Sequence, residues 1–348
     1  MIVRLLVTGG TGFVGGWIAR TAAAAGHPVQ VIAREEGGGA VGLAESGVEV
    51  LVGDLTDRAF MVDALGQVEV LVHAAATYAY DRAAGRRVVE ETPALSRAVL
   101  ESALTAGTAH AIDISSAIVF KPHAAGPRRG VTDIDSPRWT PADRAWGDPY
   151  LASKVLADEE AERARDRGLA MSSVHPALVI GPEDRRPGTS GALLLSLLDS
   201  AAVPDVTAGW CDVRDVADAV LAIAERPPGG RYLVTAETLS FRRVCRTLDT
   251  VTGRSQQRVF LPRRVVGALA RVNDLAGGLL DARVPPRASL EFLLGTRGLI
   301  DGSSGLPALG LRYRPFEASV ADSLAWWARN GMLEPSLAGA VDPERPDR

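Results

Sequence analysis

Residues 2–15, IVRLLVTGGTGFVG, decide the fold of this chain. Their first half is an apolar run rich in Val and Leu, which is typical of a buried parallel strand. Three glycines follow, at Gly9, Gly12 and Gly15. Residues 13–25 then carry a helical pattern without proline. This order predicts a strand, a tight glycine turn and a helix.

Each glycine of the turn has a physical purpose if a dinucleotide binds there. Gly9 allows the turn, Gly12 lets backbone N–H groups approach a pyrophosphate, and Gly15 lets the helix pack closely on the strand. The anion would lie at the positive end of the helix dipole. The predicted contacts come from Gly9, Thr11, Gly12, Phe13, Val14 and Gly15.

The spacing of these glycines, G-x-x-G-x-x-G within TGGTGFVG, differs from the usual G-x-G-x-x-G. It resembles the extended branch of the short-chain dehydrogenase/reductase superfamily, the NAD-dependent epimerase/dehydratase family with its dihydroflavonol-reductase-like enzymes. The resemblance implies a Rossmann-type α/β fold, a doubly wound parallel sheet with a smaller C-terminal substrate lobe. It also implies a nicotinamide cofactor.

Strands and helices alternate up to residue 115, which independently predicts a parallel sheet with ligands at the carboxyl ends of its strands. The later predicted strands are 29–33, 48–52, 69–72, 111–115, 170–174 and 231–234. The later predicted helices are 58–65, 92–106, 149–167, 211–224 and 240–250, with more over 255–304.

Three regions follow from this pattern. We predict a dinucleotide-binding core over 1–180, and a substrate lobe over 181–332 in which 205–236 return to the core. A flexible tail is predicted over 333–348. Periodicity is lost over 120–149, which predicts a long loop over the active site.

The net charge of −4 over 348 residues argues against nucleic acid or an anionic membrane as partner. Cys211 and Cys245 lie far apart and suggest neither a disulfide framework nor a metal site, so a reducing, cytoplasmic compartment fits best. The apolar run at residues 2–7 is too short, and too soon followed by glycines, to be expected as the core of a secretory leader. Residues 264–280 are apolar but interrupted by charges, which predicts an amphipathic helix and not a membrane span.

The end of the second predicted strand bears on the choice of cofactor. Ala33 stands where an acid would bind the ribose 2′-hydroxyl, and Arg34 follows it. A guanidinium can pair with a 2′-phosphate, so NADP(H) is preferred, with NAD(H) as the alternative. A solvated arginine, followed by Glu35 and Glu36, would explain the same residues.

The resemblance implies further cofactor contacts at the other strand ends. Asp54 would accept a hydrogen bond from the adenine, although it could instead cap the helix over 58–65. HPALVIGP, residues 175–182, matches the family's R-P-x-x-V-x-G-P except that His175 replaces the arginine. The implied contacts are Asp54, Leu55, Ala74, Ala75, Ala76, Ser115, Tyr150, Lys154, Pro176, Ala177 and Val179.

Tyr150 and Lys154 have Y-x-x-x-K spacing, so one helical turn places both side chains on the same face. A free phenol has a pKa of about 10, and a nearby ammonium favours the phenolate. Tyr150 can then act as the acid in carbonyl reduction or as the base in alcohol oxidation. The resemblance adds Ser116, in preference to Ser115, as the hydrogen-bond donor to the substrate oxygen.

Fold alone does not choose the reaction. Ala117 and Ile118 replace the Asp-Glu pair of similar sugar 4,6-dehydratases, so that dehydration is not expected. The favoured function is reduction of a small hydrophobic or ring-bearing ketone or aldehyde, or the reverse oxidation. One alternative is a nucleotide-sugar epimerase, whose diphosphate could be held by Arg128, Arg129, Arg185 and Arg186. The other is a non-catalytic NADP-sensing regulator.

The predicted partner is therefore a small-molecule substrate. Aromatic residues that could contact it are Tyr78, Trp139, Trp146 and Trp210. His123 and His175 are assigned no chemistry. The resemblance implies a homodimer formed through the helices that carry Thr92 and Tyr150.

Overall fold

The structure, a computed structural model, describes residues 1–35, 37–76, 82–140, 142–143, 149–275 and 299–341. Its strands are β1 (Leu5–Thr8), β2 (Val29–Ala33), β3 (Glu49–Val52), β4 (Val70–His73), β5 (His110–Ile114), β6 (Val131–Thr132), β7 (Met171–Pro176), β8 (Leu178–Ile180), β9 (Ala202–Pro204), β10 (Thr207–Asp212), β11 (Arg231–Val234), β12 (Glu237–Ser240), β13 (Val259–Leu261) and β14 (Leu299–Ile300). Its helices are α1 (Phe13–Ala24), α2 (Gly38–Ala44), α3 (Arg58–Leu65), α4 (Arg82–Ala106), α5 (Pro149–Asp166), α6 (Thr189–Asp199), α7 (Val213–Ala224), α8 (Phe241–Thr252), α9 (Arg263–Leu275), α10 (Phe316–Arg329) and α11 (Pro335–Ala338).

Within the described residues, seven strands form the main sheet in the order β11-β7-β5-β4-β1-β2-β3, and all its pairings are parallel. The order reverses direction between β1 and β4, and the carboxyl ends of all these strands lie at one edge. The predicted doubly wound Rossmann-type sheet is therefore confirmed. Its ligand site is expected at the reversal.

Helices cover both faces of this sheet, which explains why β1 is buried along its whole length. One face packs against α1 and α7, where Val7 and Val31 meet Ile18 and Val220. The other face packs against α3, α4 and α5. Alternate residues of each strand thus point into two separate cores.

A second core lies in the C-terminal half of the chain. It combines a small sheet, in the order β12-β10-β8, with α6, α8 and α10. Trp210 is fully buried there and packs on Phe316 with ring centroids 5.5 Å apart. The chain also returns to the main core through α7 and β11, and again through Leu306 and Leu309. The prediction for 205–236 included the first return, but the second was missed.

Several predicted boundaries change. α4 begins at Arg82, ten residues before the predicted start, and Pro93 lies inside it. Cys211 belongs to β10, and the following helix begins only at Val213, capped by Asp212. Within the described ranges no helix is both long and apolar enough to cross a bilayer. Of the predicted amphipathic stretch 264–280, the described part lies within α9.

The prediction of a flexible tail is wrong for residues 333–341. Leu333 and Ala338 are buried in the second core, and Leu337 packs against it. Gly339 follows with φ at 56°, and a Cβ added there would lie 2.1 Å from the carbonyl oxygen of Thr252. This close approach docks the end of the chain on α8. Residues 342–348 lie outside the described part.

We expect Gly339→Ala to lower the free energy of unfolding by about 3 kcal/mol, because both the backbone angle and the contact with Thr252 oppose a Cβ. Gly331→Ala is the matched control, since Gly331 also has a positive φ, 67°, but no atom within 4 Å of an added Cβ. It should cost only about 1 kcal/mol. Denaturant titration of both variants checks this, and equal losses would contradict the docking.

Candidate functional site

The turn after β1 packs directly against the end of β4. Gly9 has φ at 72°, and a Cβ there would lie 2.7 Å from the backbone nitrogen of Ala75. A Cβ on Gly15 would lie 2.3 Å from the carbonyl oxygen of Gly9. Gly15 thus lets α1 pack on the turn itself, and not on the strand as predicted. Neither position leaves room for a side chain.

Gly12 has a different environment. It is exposed, and a Cβ on it would meet only the carbonyl oxygen of Gly9, at 3.2 Å. α1 begins next to it with no side-chain cap and no acid in its first turn. Phe13 and Val14 occupy that first turn half-buried, and Thr11 is exposed. An open, uncapped helix N-terminus fits the pyrophosphate of a dinucleotide.

Arg34 and Asp54 lie at the ends of the neighbouring strands β2 and β3, and both are exposed. Hydrogen bonds from Thr56, together with the nearby Arg34 guanidinium, hold the pKa of Asp54 below its ordinary value. Asp54 does not cap α3, because Asp57 accepts the capping bonds from the first turn. Leu55 is half-buried beside them. Glu36 lies outside the described residues.

At the end of β4, His73 is buried between two hydroxyl groups. Its Nδ1 lies 2.9 Å from Oγ1 of Thr8, and its Nε2 lies 3.1 Å from Oγ of Ser96 on α4. Burial and the charge of Lys154 lower the pKa of His73 to about 4, so it is neutral at pH 7. The half-buried Ala74, Ala75 and Ala76 follow. They leave space along this edge next to the Gly9 turn.

The two serines after β5 face different surroundings. Ser115 is buried, and its hydroxyl donates to Asp158 at 3.1 Å. Ser116 is half-buried and begins a 3₁₀ turn over Ala117–Val119, whose Ile118 N–H it accepts at 3.4 Å. The Ser115 N–H donates to the carbonyl of Val174 at 2.9 Å, so the predicted cofactor contact is left to its carbonyl or to the lone pairs of its hydroxyl. The choice of Ser116 as the serine that contacts the substrate stays a prediction.

α5 begins next to the Ser116 turn. Tyr150, in its first helical turn, packs half-buried against the apolar cluster of Ala117–Phe120 and Leu151. Lys154 is buried. Its charge contributes to the lowered pKa of His73 and partly opposes the rise in the pKa of Asp113. The ammonium therefore lies at the carboxyl ends of β4 and β5. Tyr150, Lys154 and Ser116 converge on the edge of the sheet that holds the Gly9 turn.

Two backbone N–H groups at the β7–β8 connection and in β8 already donate hydrogen bonds to other parts of the protein. Ala177 N–H donates to the carbonyl of Val234 at 3.0 Å, and Val179 N–H donates to Oγ of Ser190 at 3.1 Å. Pro176 has no N–H. Contacts from this segment to a nicotinamide would therefore have to use its backbone carbonyls or side chains.

His175 is completely buried, and burial lowers its pKa to about 4. Its ring lies beside the backbone of Ser116 and 4.8 Å from the ring of Phe120, edge to face. Neither ring nitrogen has a partner of good hydrogen-bond geometry in the described part of the chain. His123 is bound to Asp133, with 3.0 Å between Nε2 and Oδ1.

The loop predicted over 120–149 is held by strand pairing and ion pairs in its described part; we call the described residues 120–140 and 142–143 the active-site loop. β6 within it pairs with β14, and Arg128 forms ion pairs with Asp133 and Asp301. Lys121 pairs with Asp143 and lies 5.3 Å from the ring centre of Trp139. The β6–β14 pairing and the Arg128–Asp301 ion pair tie the loop to the C-terminal half of the chain, whereas the contacts of Lys121 lie within the loop.

The aromatic residues considered for substrate contact separate into distinct environments. Trp139 lies in the same apolar cluster as Tyr150. Trp210 belongs to the second core and is wrong as a substrate contact. Tyr78 and Trp146 lie outside the described residues.

Sequence reasoning missed an acidic pair behind the site, Asp113 on β5 and Asp158 on α5. Both are buried. Asp158 could have been found, because it lies four residues after Lys154 on the same helical face. Asp113 gave no such signal, since its partner Asp158 lies on a separate element, α5, far along the chain. Burial and the charge of Asp158 raise the pKa of Asp113 to about 7, against the opposing effect of Lys154.

Comparison with known proteins settles the family. Residues 5–235 match the NAD dependent epimerase/dehydratase family. The chain belongs to that family. It is an NAD(P)-dependent oxidoreductase of the extended short-chain dehydrogenase/reductase type, with a nicotinamide cofactor.

Three similar proteins each match nearly the whole of this chain. Sterol demethylase protein B of Methylococcus capsulatus is 30% identical, over 94% of this chain and 99% of that protein. The 4-hydroxy-2-methyl-3-oxo-4-farnesyl-3,4-dihydroquinoline-1-oxide ketoreductase of Stigmatella aurantiaca is 24% identical, over 92% and 96% respectively. The crystal structure of gox2253 superposes with a TM-score of 0.82 at 25% identity, over 95% of this chain and 99% of that one.

Asp113 should make stability depend on pH. Its pKa is raised on folding from 3.8 to about 7, so its favourable contribution is complete below pH 3.8 and is lost as pH rises through 7. Asp113→Asn should therefore gain about 2 to 4 kcal/mol relative to wild type between pH 4 and pH 8. Denaturant titrations at both pH values check this.

The exposed Asp63 is the control for this comparison. Asp63→Asn makes the same chemical change at the surface and reports what the substitution does away from the buried site. A pH-independent difference between Asp113→Asn and wild type would contradict the raised pKa.

Proposed function

We propose that this chain is an NADP(H)-dependent ketone or aldehyde reductase, or an alcohol dehydrogenase in the reverse direction, with Tyr150 as acid and base. The observation that carries the proposal is the convergence of Tyr150, Lys154 and Ser116 beside the open glycine turn. We assign the dinucleotide to residues 1–180 and the substrate to the lobe that follows.

Each residue of the site has a distinct task in this proposal. Ser116 donates a hydrogen bond to the substrate oxygen and fixes it next to Tyr150. Tyr150 gives its proton to that oxygen during reduction and takes it back during oxidation. The Lys154 ammonium favours the phenolate that is left behind. The bound nicotinamide supplies or accepts the hydride.

The residues around Ser116 favour simple carbonyl chemistry. Ala117 and Ile118 are buried and carry no group that could move a second proton. Arg128, considered as a diphosphate clamp for an epimerase, is paired with two aspartates. These observations support a reductase over a nucleotide-sugar epimerase or a sugar dehydratase.

The substrate is proposed to be hydrophobic and ring-bearing. Trp139 packs in the cluster of Tyr150, and its indole N–H is buried without a hydrogen-bond partner among the described residues. The indole is half-buried, so it can offer an apolar face to a hydrophobic ring, whereas its N–H is enclosed by the protein. Relatives named for a sterol and for a prenylated quinoline ketone support this class.

The test is NADPH oxidation against a panel of steroidal, aromatic and aliphatic ketones. Tyr150→Phe should lower kcat/KM by about 100-fold or more, because the acid is lost while the ring still packs. Tyr232→Phe, on β11 away from the site edge, is the matched control and should keep wild-type activity. Tight NAD binding without carbonyl turnover by the wild type would instead point to an epimerase, with nucleotide sugars as the next substrates.

The preference for NADP(H) rests on Arg34, which is exposed beside Asp54 at the ends of β2 and β3. Arg34→Ala should raise KM for NADPH by about 10- to 100-fold and change KM for NADH little, because only a 2′-phosphate needs the guanidinium. Arg4→Ala, before the amino end of β1, is the charge-matched control. Equal effects on both cofactors would contradict the assignment.

A further inference from the structure

Asp158 lies on the face of α5 that carries the predicted catalytic pair. Tyr150, Lys154 and Asp158 follow one another at four-residue intervals. Asp158 is only 6% exposed, and both of its carboxylate oxygens are in use. Oδ1 accepts the hydroxyl of Ser115 at 3.1 Å, and Oδ2 accepts the Arg138 guanidinium at 2.7 Å.

The two donors to Asp158 come from the two segments that must be placed against α5. Ser115 is the neighbour of Ser116, so a fixed Ser115 side chain fixes the strand end from which Ser116 projects. Arg138 belongs to the active-site loop. The same guanidinium also lies 3.2 Å from Glu162, one turn further along α5.

Arg138 stands in the part of the loop that folds back on the Ser116 turn. The N–H of Lys121 donates to the carbonyl of Pro137 at 2.7 Å, and the N–H of Trp139 donates to the carbonyl of Val119 at 2.8 Å. The loop therefore carries Trp139 to its place beside Tyr150 through the residue next to Arg138.

The cation that contacts Asp158 comes from the loop, as Arg138. His175 stands where the resemblance placed an arginine, but its pKa of about 4 leaves it neutral. Without Arg138, Asp158 would be a buried carboxylate that has lost the cation paired with its Oδ2, which is strongly unfavourable.

We propose that Asp158 is a positioning residue for the reaction proposed above: by holding Ser115 and Arg138 at once, it sets Ser116 against Tyr150 and closes the active-site loop over both. The inference rests on the proposed function for its catalytic part. Its structural part, the attachment of the loop to α5, can be measured without cofactor or substrate.

The matched control is Glu160→Gln. Glu160 lies on the same helix, is 7% exposed, and binds Arg97 and Arg163 on the side away from the site. Its loss removes a comparable ion pair without touching the loop. The test variants are Asp158→Asn and Arg138→Gln, with Asp158→Glu to restore the carboxylate.

Hydrogen exchange of the cofactor-free protein is the first measurement. Asp158→Asn and Arg138→Gln should raise exchange by about tenfold or more at the amides of Lys121 and Trp139, since their bonds depend on the closed loop. Glu160→Gln should leave these amides at the wild-type rate. Unchanged exchange at 118–121 and 137–139 in both test variants would overturn the proposal.

Turnover is the second measurement, with whichever carbonyl the wild type reduces. Asp158→Asn should lower kcat by about 10- to 100-fold with little change in KM for NADPH, and Asp158→Glu should recover part of the loss. A kcat equal to that of Glu160→Gln despite raised exchange would overturn the positioning role. If the wild type reduces no carbonyl, the proposed function fails, whereas the exchange result still decides whether Asp158 holds the loop.

Discussion

The close packing of the Gly9 turn against the end of β4 is the contact on which the site depends. A parallel sheet brings the carboxyl ends of all its strands to one edge. Most side chains, if they stood in the turn at that edge, would occupy the space that a ligand needs. Here the turn approaches the β4 end so closely that Gly9 has no space for a Cβ, and α1 approaches the turn so closely that Gly15 has none. The surface above Gly12 stays open as a result, and the N-terminus of α1 faces it without a cap.

α5 adds the second constraint. Its first turns bring Tyr150 and Lys154 to the same edge, and its next turn holds the strand end and the active-site loop through Asp158. Two buried groups near Lys154 carry less charge at pH 7 than their residue types suggest: His73 is neutral, and burial raises the pKa of Asp113 to about 7, so that only about half of it is ionised. The positive charge of Lys154 therefore has fewer charged groups near it than the number of titratable neighbours suggests.

The residues that could be predicted from the sequence are those whose placement is local. The strand, turn and helix at the N-terminus and the Y-x-x-x-K pair follow from spacings of a few residues, and the doubly wound sheet follows from the alternation of such units. Asp158 and Arg138 were missed because their partnership joins segments 20 residues apart in the chain through a loop that lost its periodicity. The docked segment 333–341 was missed because it is short and runs into the polar end DPERPDR, whereas what holds it is non-local: Leu333 and Ala338 are buried in the second core, and Gly339 lies against α8.

The repeated return of the chain to the main core shapes how the two halves of the protein relate. After Ile180 the chain enters the second core, goes back through α7 and β11, leaves again, and comes back at Leu306 and Leu309 before α10. The two lobes are therefore built from alternating segments of the chain and are not two consecutive domains joined by a single linker. Cleavage at one peptide bond would therefore not separate the described core residues into two fragments that each contain a complete core. For the same reason the substrate lobe cannot be exchanged between relatives as one continuous segment.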